Sequence, residues 1–100
     1  MSEAEKAALK REVVQCLAGE PGVVRVVVFG SFLTSSAPTD MDVAVFQEGT
    51  EPYLELALRY RRRLRSVARR IAVDVVPVRP SPLPTAFMKE IEKGEVVYER

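Results

Sequence analysis

Three aspartates and one glycine-serine pair are the residues of this chain whose types and spacing could do chemistry. Asp40 and Asp42 stand one residue apart at the head of the apolar run MDVAVF, and Asp74 interrupts another, IAVDVVPV. Gly30-Ser31 closes a third run, VVRVVVF. Alternate residues of a strand project to the same side, so Asp40 and Asp42 would stand roughly 6–7 Å apart on one face. Two carboxylates so placed repel each other, more strongly among apolar neighbours, unless a cation lies between them. A magnesium ion relieves that repulsion and keeps open positions for phosphate oxygens. A third aspartate on a neighbouring strand could complete a second metal position, or take the proton of an attacking hydroxyl. Two ions about 3.5–4 Å apart would steady the entering and leaving oxygens of an in-line displacement at phosphorus.

The glycine-serine pair supplies the other end of such a site. A backbone with no side chain at Gly30 can approach a triphosphate closely, and the Ser31 hydroxyl and nearby N–H groups can hold its terminal oxygens. Thr34, Ser35 and Ser36 could add donors. No Walker lysine pattern follows, so the turn is not a P-loop. Taken singly these signals are weak. A Gly-Ser after a strand is commonly a plain turn, and a lone Asp-x-Asp is commonly a solvated strand start. Asp74 alone reads as an edge residue facing water, although aspartate is a poor strand former. Their order along one short chain is what points to a nucleotide and its metal.

Composition narrows the chemistry further. The 100 residues contain no histidine and one cysteine, Cys16. The usual neutral-pH acid–base group and the commonest transition-metal ligand are therefore missing. Any metal should be a hard cation on carboxylate oxygens, magnesium or manganese, and any general base should be a carboxylate. Cys16 cannot form an internal disulfide, and its place on a helix with Leu9, Val13 and Leu17 makes it a core or half-buried thiol. No apolar run approaches the ~18 residues of a membrane span, and the charged N-terminus resembles no targeting segment. A cytoplasmic single domain over 1–100 is the expectation. Net charge is +1, yet seven of the fifteen cations fall between Arg59 and Arg70.

Periodicity and punctuation predict the elements that must position the aspartates. Ser2 and Glu5 form a capping box that opens a helix to about Ala18, ended by Gly19 and Pro21. Strands are expected over Val23–Phe29, Met41–Phe46 and Ile71–Val78. The nearly continuous valines of the first imply that both of its faces are covered, with Arg25 near its start. Ser31 to Ser36 could form one helical turn. The longest helix runs from Glu51 or Pro52 to Arg70, with Ala57, Tyr60, Leu64, Val67, Ala68 and Ile71 as its apolar stripe. Arg61 falls within that stripe, so either its stem lies along the apolar surface or its head meets an anion. The proline-rich RPSPLP reads as a linker. Thr85 caps a last helix to about Lys93, with Gly94 as its C-cap, and Val96 to Tyr98 adds a short edge strand or packs down. The order α-β-β-α-β-α gives an α/β (α+β) fold with one small mixed sheet and helices against it.

The segments GSFLTSSAPTDMDVAVF, VDVVPV and PLPTAFMKEIEKGEVVYE together resemble a minimal nucleotidyltransferase of the DNA polymerase β superfamily, the MNT type. The likeness runs from about Val23 to Glu99 and rests on Gly-Ser, D-x-D, a later strand aspartate and a closing I-x-x-G-x-x-x-Y. It implies that Gly30 and Ser31 hold a triphosphate, that Asp40 and Asp42 ligate metal, and that Asp74 is the third carboxylate. It also implies two magnesium ions, ATP as substrate and an HEPN-type helical toxin as partner. Such proteins act as antitoxins by binding that toxin and adding AMP to one of its tyrosines. Many relatives continue Gly-Ser with a hydrophobic pair and then Arg-Gly, where this chain has Phe32-Leu33-Thr34-Ser35. With that positive group missing, Thr34 and Ser35 are retained as nucleotide-binding candidates, and Arg61 is the first candidate to replace the arginine. Three functions follow: catalysis on a docked macromolecule, neutralisation of a partner by contact alone, and, least supported at a net charge of +1, nucleic-acid binding by the arginine-rich helix.

Overall fold

The computed structural model describes residues 1–79 and 85–100, so residues 80–84 of the proline-rich linker lie outside the described residues. The chain folds as α1 (Glu3–Leu17), β1 (Val23–Phe29), α2 (Ser31–Thr34), β2 (Asp40–Gln47), α3 (Tyr53–Arg63), α4 (Arg65–Ala68), β3 (Ala72–Val78), α5 (Ala86–Glu92) and β4 (Glu95–Glu99). One four-stranded mixed sheet in the order β3-β2-β1-β4 carries them. The capping box opens α1 as expected: the Ser2 hydroxyl accepts from the Glu5 amide, and the Ser2 amide donates to the Glu5 carboxylate.

β1 is covered on both faces beyond the exposed Arg25, as its nearly continuous valines imply. Val26 and Val28 join Met41, Val43 and Val45 of β2 in the larger cluster, closed by Leu9, Val13 and Leu17 of α1 and by Leu56, Tyr60, Leu64 and Val67 of the crossover helices. Val27 and Phe29 face the other way. With Ala44, Phe46 and Val78 they meet Ile91 of α5 in a smaller cluster. This second face is the one that matters for chemistry, because alternation along β2 and β3 carries it directly onto Asp42, Asp40 and Asp74.

The long helix is not continuous. Leu64 leaves helical geometry at φ −91°, ψ 13° and divides it into α3 and α4. No glycine or proline marks the place; Leu64 is buried between the two pieces, and the break lets Val67 and Ile71 turn inward ahead of β3. The buried stripe also lies slightly off the expected one. Leu56, Tyr60, Leu64, Val67 and Ile71 are buried, whereas Ala68 is exposed. The crossover from β2 through α3 and α4 makes β3 parallel to β2, so both strands begin at the same end of the molecule. Tyr60 closes the crossover onto the sheet by donating its buried hydroxyl to Gln47 Oε1 at 2.9 Å.

β4 forms a true edge strand, antiparallel to β1. Gly94, expected as a helix cap, serves close approach instead, since Lys93 is the C-cap of α5. A Cβ on Gly94 would lie 2.6 Å from the Val28 carbonyl and 2.8 Å from both Phe29 Cβ and Val27 Cγ1. The α5–β4 corner therefore rests on the backbone of β1, which cannot yield locally. Gly94→Ala is expected to cost about 2–3 kcal/mol of stability by overpacking, measurable as a lowered urea midpoint with an unchanged slope.

Candidate functional site

β2 and β3 pair in register from Asp40↔Ala72 to Phe46↔Val78, and that register sets Asp42 directly beside Asp74. Backbones of neighbouring strands lie about 4.8 Å apart, so the two carboxylates leave the same face of the sheet as cross-strand neighbours. Asp40 stands two residues earlier on the same face of β2. Asp40 and Asp42 are half-buried, and Asp74, on the edge strand, is exposed.

The glycine-serine corner meets the same carboxylate. Phe29, the last residue of β1, pairs with Asp42, and the chain turns at Gly30 with φ 80°, ψ −158°. That φ is in the left-handed region that glycine adopts freely and other residues rarely do. A Cβ at this position would lie 2.6 Å from Asp42 Oδ2. Gly30 thus satisfies two demands at once, the turn and the close passage of backbone past the carboxylate. It opens α2 with no side-chain cap on the first amides, and Ser31 is exposed beside them. Phe87 of α5 packs edge-on against Phe29, ring centroids 6.0 Å apart, and forms an aromatic rim next to the corner.

Electrostatics agree with this crowding. Burial pushes the Asp42 carboxyl above the usual range, and the negative charges of Asp40 and then Asp74 push it further. A carboxyl whose folded pKa is raised contributes stability that is fully present below its unfolded pKa and is lost as pH rises through the folded value. At neutral pH the ionised Asp42 therefore opposes folding, the signature of a group placed for something other than stability. Among the described residues, no three acidic or cysteine side chains already converge as a metal cage. The donor set nevertheless suits a hard divalent cation: it is all carboxylate oxygen, it shares one face, and its members already repel one another. Convergence on an ion needs side-chain rotation on fixed backbone positions, which staggered rotamers permit.

The remaining candidates divide. Thr34 is exposed at the end of α2. The Ser35 hydroxyl accepts from the Ala37 amide at 3.1 Å, and the Ser35 carbonyl accepts from Lys6 Nζ at 2.7 Å, so this residue is engaged in shaping the loop. Arg61 is not brought to the corner. It lines a cavity with Leu64, Ala68, Val73 and Val75. Val73 and Val75 face the larger cluster, the side of β3 opposite Asp74. Its stem follows the apolar surface, the snorkelling alternative. The other arginines of the cluster are partly committed: Arg59 and Arg63 both reach the buried Glu20, Arg59 also Glu51, and Arg70 reaches Glu12.

Sequence reasoning missed Lys6. It is 5 % exposed and belongs to the buried stripe of α1 with Leu9, Val13 and Leu17. A lysine at i of an i, i+3, i+7, i+11 apolar stripe was the signal available.

The Polymerase beta, Nucleotidyltransferase family model matches residues 11–100 of the chain. No curated protein sequence matches it. Among solved structures, the chain is similar to one in the complex of a tri-AMPylated Shewanella oneidensis HEPN toxin with an MNT antitoxin, at TM-score 0.64 and 19% identity over 95% of this chain and 73% of that one. It is also similar to a chain of a toxin–antitoxin structure containing AMP-PNP, at TM-score 0.63 and 20% identity over 91% and 73% of the two chains. A third likeness is to E. coli MS115-1 CdnC with ATP, at TM-score 0.52 and 25% identity over 81% of this chain and 35% of that one. With a matched span from α1 to the last residue, the chain belongs to the polymerase beta nucleotidyltransferase family.

Proposed function

We propose that the chain transfers AMP from ATP to a hydroxyl of an HEPN-type helical toxin, a tyrosine in the first instance, and thereby acts as its antitoxin. The observation that carries this reading is the shared face of Asp40, Asp42 and Asp74, with Asp42 in register beside Asp74 and packed against the bare Cα of Gly30. Similar structures hold a tri-AMPylated HEPN toxin with its MNT antitoxin and a toxin–antitoxin with AMP-PNP, and these support the choice of nucleotide and partner.

In this reading Asp40, Asp42 and Asp74 would hold magnesium, which would supply charge neutralisation for the phosphates at the reacting centre. Gly30 lets the triphosphate approach the backbone, and Ser31 donates its hydroxyl to a phosphate oxygen. The acceptor hydroxyl attacks the α-phosphorus. A new P–O bond forms as the bond from that phosphorus to the α,β-bridging oxygen breaks, and pyrophosphate departs. Asp74 takes the hydroxyl proton; its exposure on an edge strand leaves it open to an acceptor arriving from outside.

A contact-only antitoxin is the second reading, favoured by Thr34-Ser35 standing where many relatives carry Arg-Gly and by the engagement of Ser35 in shaping the loop. One incubation separates the two. ATP labelled at the α-phosphate, magnesium and an HEPN-type toxin are mixed with this chain. Label on a toxin tyrosine is the expected result, and toxin neutralised with no label transferred selects the contact-only reading.

A further inference from the structure

We propose that Lys6 is a positioning residue of the phosphate corner, a buried cation that braces the 30–36 turn from behind and leaves its positive charge available to the nucleotide. This inference rests on the reading of Gly30-Ser31 as a triphosphate site. The ammonium donates to the Ser35 carbonyl at 2.7 Å and lies 5.8 Å from the centroid of the Phe32 ring. Ser35 is the C-cap of α2, its amide donating to the Ser31 carbonyl at 2.8 Å. Lys6 therefore ties down the far end of the single turn whose near end is Gly30-Ser31, a distance of about one helical pitch, ~5.4 Å. Phe32, between these ends, is fully buried in the larger cluster, so the turn is clamped at its ring and at its last carbonyl.

Two facts separate this lysine from an ordinary packing residue. Burying an ammonium is costly unless a partner of opposite charge compensates it, yet among the described residues Lys6 has no carboxylate partner, although eight other ion pairs are present. A carbonyl and a ring face stabilise the cation without neutralising it. Its neighbours in the stripe, Leu9 and Val13, are apolar, and an unbranched apolar side chain would fill the site without the cost. The charge that balances Lys6 is the polyanion proposed to sit at the other end of the turn.

The test uses Lys6→Met, which keeps length and packing, and Lys6→Arg, which keeps charge. Binding of magnesium–AMP-PNP is measured by calorimetry at two salt concentrations, with amide hydrogen exchange over residues 31–36. For Lys6→Met we expect a Kd at least about 10-fold weaker, a shallower salt dependence and faster exchange in the turn, with Lys6→Arg retaining most of the affinity. Wild-type affinity and salt dependence in Lys6→Met overturns the proposal, even if exchange in the turn rises. A wild-type chain that binds no nucleotide sinks the phosphate-corner reading itself, and the brace with it.

Discussion

Asp42→Asn is expected to reduce AMP transfer by at least about 10³-fold, which corresponds to ~4 kcal/mol of transition-state stabilisation, while the folded protein becomes more stable. Both effects have one cause. Asp42 stands between Asp40 on its own strand and Asp74 on the next, against the backbone of Gly30. Its carboxylate is held there against burial and two like charges. The amide is close to isosteric and removes the charge, so repulsion falls and the melting temperature at pH 7 should rise. The rise should vanish at a pH where the carboxyl is already protonated, because the raised carboxyl destabilises only once ionised. A transfer assay paired with thermal melts at pH 7 and at pH 3, the latter below the ordinary aspartate pKa of about 3.9, checks both halves. A variant that melts lower at both pH values and keeps its rate would mean that Asp42 is structural.

Gly30→Ala should be nearly as damaging to transfer and opposite in its effect on stability. The left-handed φ of 80° adds about 1–3 kcal/mol of strain for any residue with a Cβ, and the new methyl would overlap Asp42 Oδ2 at 2.6 Å. Relief requires either the turn to open or the carboxylate to swing away, and each displaces one half of the site. The expected result is a loss of roughly 2–3 kcal/mol in urea unfolding and transfer near background. Gly49 offers the internal control: its φ is 107°, but a Cβ there meets nothing within 4 Å. Gly49→Ala should show the backbone cost without the loss of transfer. Equal loss of transfer in both variants would show that general destabilisation, and not the Gly30–Asp42 contact, explains the effect.

The parts of this fold that were legible in the sequence are those written in local chemistry. The Ser2–Glu5 box, the valine run of β1, the glycine that ends it and the aspartates at the start of β2 all read directly, because capping, β-branching and freedom at positive φ are properties of single residues and near neighbours. The register of β2 on β3 was not legible. It depends on how a crossover of two helices, broken at Leu64, returns the chain to the sheet, and no residue near Leu64 announces the break. The pairing of Asp42 with Asp74 could therefore be expected only through resemblance. Of the two alternatives for Arg61, the stem along the apolar surface is the one seen, and angular position on a helix could not choose between them, because it says which way a side chain leaves and not which face of the sheet it meets. A lone lysine in a stripe of leucines and valines usually snorkels out, and only the tertiary contact of Lys6 with Ser35 and Phe32 shows that this one does not. Val96 to Tyr98 stayed ambiguous since an edge strand buries little, and Gly94 proved its use only through the closeness of Val28.

The most direct measurement is calorimetric binding of AMP-PNP to the wild-type chain and to the double variant Asp40→Asn, Asp42→Asn, with and without magnesium. The account predicts tight binding to the wild type only when magnesium is present and little magnesium-dependent gain in the double variant. Binding of equal strength in both proteins, unaltered by the metal, would contradict it.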